Sequence, residues 1–442
     1  MVHISATLAA NEMIRARLAR GERIQHLAFG EAGLPVHPEL AAVLCGATGR
    51  GGYPSVAGDL AARQAVAGYF TRRGVAADPG QVLLAPGSKA LLYALLSTLP
   101  GDVVLPTPSW VSYAAQSALA GKRTVRVPTP AEAGGVPDPA LLKLTLEREA
   151  ASGRRPGVLV LTVPDNPTGT VAGEALLREV CALAEEHQLV VVADQIYADL
   201  THDGMPPVNP AGILPAGTVT TTGLSKNLAL GGWRIGAALL PDSRLGARLR
   251  ESLLHFGSEV WSALPGPMQD VVAYAFAEPP ELASHIAASR RLHGAVARAM
   301  HGVFVDAGAE CRPPQGAFYL YPDFTSVVAK PDSEALATTL LDQHGVAVLA
   351  GSAFGEDASR LTFRAATSLL YGDDDERRWA ALRSDDPTGL PWIAGALTRL
   401  RDALAALHAT PTGQGGEPGG GPKRETARSI ADSTPSTAAE KV

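Results

Sequence analysis

One stretch holds the residues best suited to covalent chemistry. It reads Thr220-Thr-Thr-Gly-Leu-Ser-Lys-Asn-Leu-Ala-Leu-Gly-Gly-Trp-Arg-Ile-Gly236. The β-branched run Val219 to Thr222 reads as a strand that runs out into Gly223, Ser225 and Lys226. Arg234 follows eight residues after the lysine. A lysine held at a strand end over a dehydrated pocket can lose its proton and form a Schiff base with an aldehyde. A nearby arginine offers a planar fork of donors for a phosphate. A ligand that carries both groups is pyridoxal phosphate.

Other residues in the same kind of position fit that ligand. A pyridine nitrogen needs a carboxylate to stay protonated, and Asp194 ends the apolar run Leu189 to Ala193. The ligand's 3-oxygen needs donors, which Asn166 in Asn166-Pro-Thr-Gly169 and Tyr197 can supply. Trp110 is a candidate neighbour for the ring. Gly87-Ser88-Lys89 opens a helix whose N–H groups and dipole suit a phosphate, and Ser225 adds a hydroxyl. Taken singly, each is common as a turn, cap or core residue.

The elements that must position these residues alternate. Strands are expected at 82–85, 103–105, 124–127, 158–163, 189–193 and 219–222, with helices at 60–72, 87–99, 110–120 and 174–187 between them. Several strands are apolar throughout, which predicts a mainly parallel sheet covered on both faces. Ligands gather at the carboxyl ends of such strands. A strand running into a glycine-rich turn is expected over 27–35, with further strands at 317–321, 346–349 and 360–364, and helices at 11–20, 38–44, 283–302 and 392–406. The looser alternation after residue 280 points to a smaller α+β lobe. The polar segment 384–391 reads as a loop. From Thr410 onward the chain is Gly, Pro, Ser, Thr and charge, which predicts disorder.

Composition limits the alternatives. The 442 residues need more than one small core, and 46% hydrophobic with 19% charged residues fits a globular enzyme. A formal charge of −6 gives no reason to expect nucleic acid. Cys45, Cys181 and Cys311 have neither metal-ligand spacing nor a disulfide framework, so no metal and a reducing, cytoplasmic setting are expected. The N-terminus lacks the pattern of a signal peptide, and no apolar run is long enough for a membrane span.

In order along the chain, Gly30, Tyr53, Ser88, Trp110, Asn166, Asp194, Tyr197, Ser225-Lys226, Arg234 and Arg364 resemble the class I/II aminotransferases, the fold-type I family of pyridoxal-phosphate enzymes. The resemblance spans roughly Leu27 to Arg364. It implies an α/β fold: a mainly parallel large domain over 46–282, a smaller α+β domain over 283–408 and an N-terminal segment 1–45 packed on the latter; the disordered tail, 409–442, is extra to it. It implies Lys226 as the Schiff-base lysine, Asp194 on the pyridine nitrogen, Asn166 and Tyr197 on the 3-oxygen, and Trp110 on the ring, with Lys226, Asp194 and Tyr197 as the catalytic set. Ser88, Lys89, Ser225 and Arg234 would surround the phosphate. Tyr53 would reach the phosphate of a neighbouring subunit, so a homodimer is expected. Arg364 would clamp the substrate α-carboxylate with help from Gly30 and Asn166.

The implied reaction moves an amino group between an L-amino acid and a 2-oxo acid. The same site would also serve a lyase or cyclase, like capreomycidine synthase or aminocyclopropane-carboxylate synthase. In one branch of aspartate aminotransferase relatives a lysine at the place of Lys89 lies near the substrate's distal carboxylate. The chain departs from the family at Gln195, over Ala365 to Gly372, in the loop around Pro387 and Pro391, and in its tail. These departures bear on the substrate and the reaction outcome.

Overall fold

Runs of aliphatic and β-branched residues become one central sheet. The computed structural model describes residues 4–409. After a short β1 (Gln25–His26) come β2 (Val82–Ala85), β3 (Asp102–Thr107), β4 (Thr124–Pro128), β5 (Pro156–Thr162), β6 (Val190–Asp194), β7 (Thr218–Gly223) and β8 (Gly236–Leu239). Strands β2 to β8 form a seven-stranded sheet in the order β2-β8-β7-β6-β5-β3-β4. Neighbours from β7 to β4 are parallel, and β8 is antiparallel to β2 and β7.

The strands are apolar on both sides because both sides are covered. Side chains alternate across a strand. Leu159, Leu161 and Val191 therefore pack with Leu142 and Leu146 of the helix Pro139–Ala151 and with Leu177 and Val180 of the helix Glu174–Glu186. Val158, Val160 and Val192 point the other way. They meet Leu92 and Leu95 of the helix Ser88–Thr98 and Leu249 and Leu253 of the helix Arg244–Val260. The register aligns the strand ends: Thr162 pairs with Asp194, and Asp194 with Thr221.

The rest of the chain builds a second core. Strands β9 (Tyr319–Leu320), β11 (Leu349–Ala350) and β12 (Phe363–Ala366) make an antiparallel sheet in the order β11-β12-β9, while β10 (Val346–Ala347) pairs in parallel with β1. Phe304, Phe324 and Phe363 pack as one aromatic group, with the last two rings stacked at 5.6 Å. Leu27 and Leu34 belong to the same apolar cluster. The long helix Pro280–Asp306 runs through the expected boundary at 282/283, and residues 4–409 form one compact unit.

Several strands differ from expectation. The one expected at 27–35 lies earlier, at Gln25–His26, and that at 317–321 shrinks to Tyr319–Leu320. The run 346–349 splits in two at Val348, and 360–364 shifts to Phe363–Ala366. The cause of the last shift is local. Arg360 turns outward to Asp323 and Glu356, and Thr362 keeps only an isolated bridge to Asp323. The loop at 384–391 contains a single helical turn, Pro387–Gly389. The expected tail lies, Ala409 aside, outside the described residues.

Phe363 is fully buried beside the arginine expected to clamp the substrate. Phe363→Ala is expected to lower stability by about 3–5 kcal/mol in urea denaturation. A loss below about 1 kcal/mol would mean that the aromatic group is not a core.

Candidate active site

A cavity of about 660 Å³ opens where the carboxyl ends of β5, β6 and β7 meet the second core. Lys226, Asp194, Asn166, Tyr197, Trp110, Ser88, Lys89, Ser225, Arg234, Gly30 and Arg364 all line it. Tyr53 does not: it stands on a loop and is 95% exposed.

The cavity floor carries a carboxylate. Asp194 ends β6 and is 3% exposed. The Tyr113 hydroxyl donates to its Oδ2 at 2.8 Å, and the Thr221 hydroxyl donates to its Oδ1 at 3.2 Å. Burial nevertheless pushes its pKa up to about 6, against the opposing pull of these donors. Lys226 follows β7. Its Nζ donates to the Gly30 carbonyl and lies 5.9 Å from the centroid of the Tyr197 ring. Burial first, and Arg364 next, bring its pKa down to about 8, so the free amine is accessible near neutral pH.

A second charge is buried on the opposite wall. Arg364, on β12, is 1% exposed. Its Nη1 donates to Asn166 Oδ1 at 3.0 Å and its Nη2 to the Ala28 carbonyl at 2.7 Å. Its Nε is buried without a partner. Among the described residues no carboxylate pairs with Arg364, Lys89 or Arg234. The Asn166 amide nitrogen reaches the Tyr197 hydroxyl at 3.3 Å, and that hydroxyl lies 2.8 Å from the Tyr319 hydroxyl.

At the third corner, cationic groups surround a helix start. The helix Ser88–Thr98 begins after Gly87, whose φ of 91° is left-handed. A Cβ on Gly87 would lie 2.4 Å from Arg234 Nη2, so glycine is what lets the guanidinium approach the helix N-terminus. Lys89 Nζ lies 5.1 Å from the Trp110 ring centroid, and Trp110 stands edge-on to Tyr113 at 5.1 Å. Burial and then Arg234 lower the Lys89 pKa.

This donor set fits pyridoxal phosphate. The helix start with Arg234, Lys89, Ser88 and Ser225 suits the phosphate. Asp194, destabilised by burial and without an ion-pair partner among the described residues, suits a protonated ring nitrogen. Arg364, which lines the cavity and keeps an unpartnered Nε, suits a substrate carboxylate.

Some lining residues carried no sequence signal for the site. Tyr113 and Thr162 support Asp194, their hydroxyls 2.8 Å apart. Tyr319 lay inside a run expected only as a strand. Asn11, Glu12 and Arg15 reach the cavity from the helix Ala6–Ala19, which was expected only to pack on the smaller lobe.

Comparison with known proteins agrees with this fit. The family model "Aminotransferase class I and II" matches residues 42–369. An aspartate/prephenate aminotransferase from Cereibacter sphaeroides is 33% identical over 387 residues, covering 83% of this chain and 93% of that protein. An arginine–pyruvate transaminase from Pseudomonas aeruginosa is 32% identical over 356 residues, covering 78% and 86%. The solved structure of Thermus thermophilus aspartate aminotransferase with maleate superposes with a TM-score of 0.76 at 27% identity, covering 86% of this chain and 96% of that one. With a family match across most of its length and relatives above 30% identity, the chain belongs to the class I and II aminotransferases and is a pyridoxal-phosphate-dependent enzyme that transfers amino groups.

Proposed function

We propose that the enzyme takes an acidic amino acid, aspartate or glutamate, as one of its substrates and a 2-oxo acid as the other. The observation that carries this reading is Lys89, half-buried in the cavity with no carboxylate partner among the described residues. A partly dehydrated ammonium calls for an anion, and a distal carboxylate is one. Relatives named as aspartate/prephenate aminotransferases support the same class.

Bound pyridoxal phosphate supplies an aldehyde for amines and a ring that withdraws electrons. The protein's residues do the rest. Ser88, Ser225 and Arg234 would hold the phosphate, Trp110 would pack on the ring, and Asn166 with Tyr197 would donate to the 3-oxygen. Asp194 keeps its carboxylate at the ring nitrogen. Arg364 orients the donor's α-carboxylate, assisted by Asn166 and the Gly30 backbone. Lys226 Nζ holds the cofactor at rest. Its amine, when free, would take the proton from the donor's α-carbon.

The fully exposed aromatic Tyr53 supports a homodimer in which it reaches the neighbouring subunit's phosphate site. Free Cys45, Cys181 and Cys311 support a cytoplasmic location. No helix among the described residues is long and apolar enough to cross a membrane. A large domain over 46–282 and a smaller one over 283–408 remain our reading of the domain organisation.

Borohydride reduction of the holoenzyme followed by peptide mapping should place the cofactor on Lys226. Lys226→Ala should fold and lose turnover. In the cofactor-free protein, labelling of Lys226 by an amine-reactive probe should rise through about pH 8, as the ammonium gives up its proton. Attachment of the cofactor to another lysine would remove Lys226 from its role.

Asp194→Ala should still bind the cofactor but turn over about 100- to 1000-fold more slowly. An enlarged isotope effect with α-deuterated donor would place the loss at proton removal. Near-normal turnover would exclude Asp194 from that role.

Lys89→Ala separates the substrate reading from a phosphate role. Loss of a charge-assisted contact should cost about 10- to 100-fold in kcat/KM for aspartate and glutamate, and much less for neutral donors. An equal loss on both, restored by added cofactor, would make Lys89 a phosphate residue.

A further inference from the structure

The Tyr197 and Tyr319 hydroxyls lie 2.8 Å apart on the cavity wall. Burial, the leading cause in each case, raises both phenol pKa values. Both groups therefore keep their protons at neutral pH. Only one of those two protons can lie between the two oxygens.

The neighbours determine where the other one goes. The Arg364 guanidinium can only donate. Asn166 must therefore turn its amide oxygen toward Arg364, which leaves its NH₂ facing Tyr197 as a donor. The Tyr197 oxygen accepts that bond and has a second lone pair for Tyr319. Among the described residues neither hydroxyl has another partner. The remaining phenol proton must find its acceptor in what the cavity binds.

The surroundings of the two phenols differ. A Cβ on Gly30 would lie 2.4 Å from the Tyr319 hydroxyl, which is therefore wedged against backbone with no room for a ligand on that side. Tyr319 is wholly buried, whereas Tyr197 is 3% exposed and its ring lies 5.9 Å from Lys226 Nζ. We propose that Tyr319 donates its proton to Tyr197, and that Tyr197 thereby aims its own proton at the 3-oxygen of the bound cofactor. Tyr319 is a positioning residue acting through Tyr197, and the proposal rests on the reading of Tyr197 given above. An oxygen that accepts two hydrogen bonds is itself a stronger donor. Glycine at position 30 keeps the space that Tyr319 occupies.

The readout is the pH titration of the cofactor's absorption in the holoenzyme. Tyr319→Phe keeps the ring that packs 4.9 Å from the Arg364 guanidinium and removes only the hydroxyl. A weaker Tyr197 bond leaves the 3-oxygen more basic, so the midpoint should move up by about half a unit to one unit. Tyr197→Phe should move it further. In the Tyr197→Phe background, Tyr319→Phe should add nothing. Gly30→Ala, which displaces the same hydroxyl, should reproduce the Tyr319→Phe shift and serves if that variant folds poorly. Equal shifts from Tyr319→Phe in both backgrounds would overturn the relay. So would an unmoved midpoint in Tyr319→Phe when Tyr197→Phe does shift it. If Tyr197→Phe itself leaves the midpoint in place, Tyr197 is not the 3-oxygen donor, and the relay fails with it.

Discussion

Asp194 and Arg364 are both almost wholly removed from solvent, and no ion pair joins them to each other or to any other described residue. Isolated buried charges are costly, and a protein that kept them for stability alone would pair them. Their separation makes sense if the cavity is completed by a ligand that presents a cation to one and an anion to the other. The sheet register enforces the arrangement. Thr162, Asp194 and Thr221 stand side by side on β5, β6 and β7, so the hydroxyls that support the carboxylate arrive with the backbone.

The loops that carry Tyr197 and Lys226 are not left to find their own positions. Asp199, two residues after Tyr197, accepts from the Asn227 amide at 2.7 Å, one residue after Lys226. It also accepts from Arg73 at 2.7 Å and from the Tyr69 hydroxyl at 3.1 Å. Arg73 is held in turn by Glu278. This buried carboxylate ties both loops to the helix Leu60–Arg72 and its neighbours. Such support keeps reactive side chains in a narrow range of positions.

Residues at the ends of apolar strands were legible because composition marks such strands and the chain must leave the sheet at their ends. Asp194, Lys226 and Asn166, which line the cavity, stand at such ends. Strand β8 was not expected, because Gly-Ala-Ala-Leu has no β-branched residue to mark it. Its place comes from pairing with β2 and β7. Nothing local distinguishes Tyr319 from Phe318, so the sequence marks it only as a strand residue. Only the return of β12 beside β9 brings it to Arg364. The cavity side of the N-terminal helix was hidden for the same reason. Contacts between distant segments leave no periodic trace in either of them.

Among the described residues, the segments expected to depart from the family do not themselves line the cavity. Ala365, Ala366, Thr367, Ser368 and Tyr371 are buried, and none lines the cavity. The Thr367 amide donates to the Phe318 carbonyl, and the Tyr371 hydroxyl lies 2.7 Å from His293 Nδ1. His293 packs on Phe318 at 5.0 Å. The unusual sequence after Arg364 is therefore the bed beneath β9, the strand that carries Tyr319. Gln195 is likewise buried, its side chain turned to the Val208 carbonyl. The polar side chains that a substrate could meet directly include Asn11, Glu12 and Arg15 of the N-terminal helix, with Glu31 and Lys89. Residues 365–371 meet the cavity only through what they support, the strand that carries Tyr319 and the arginine that precedes them.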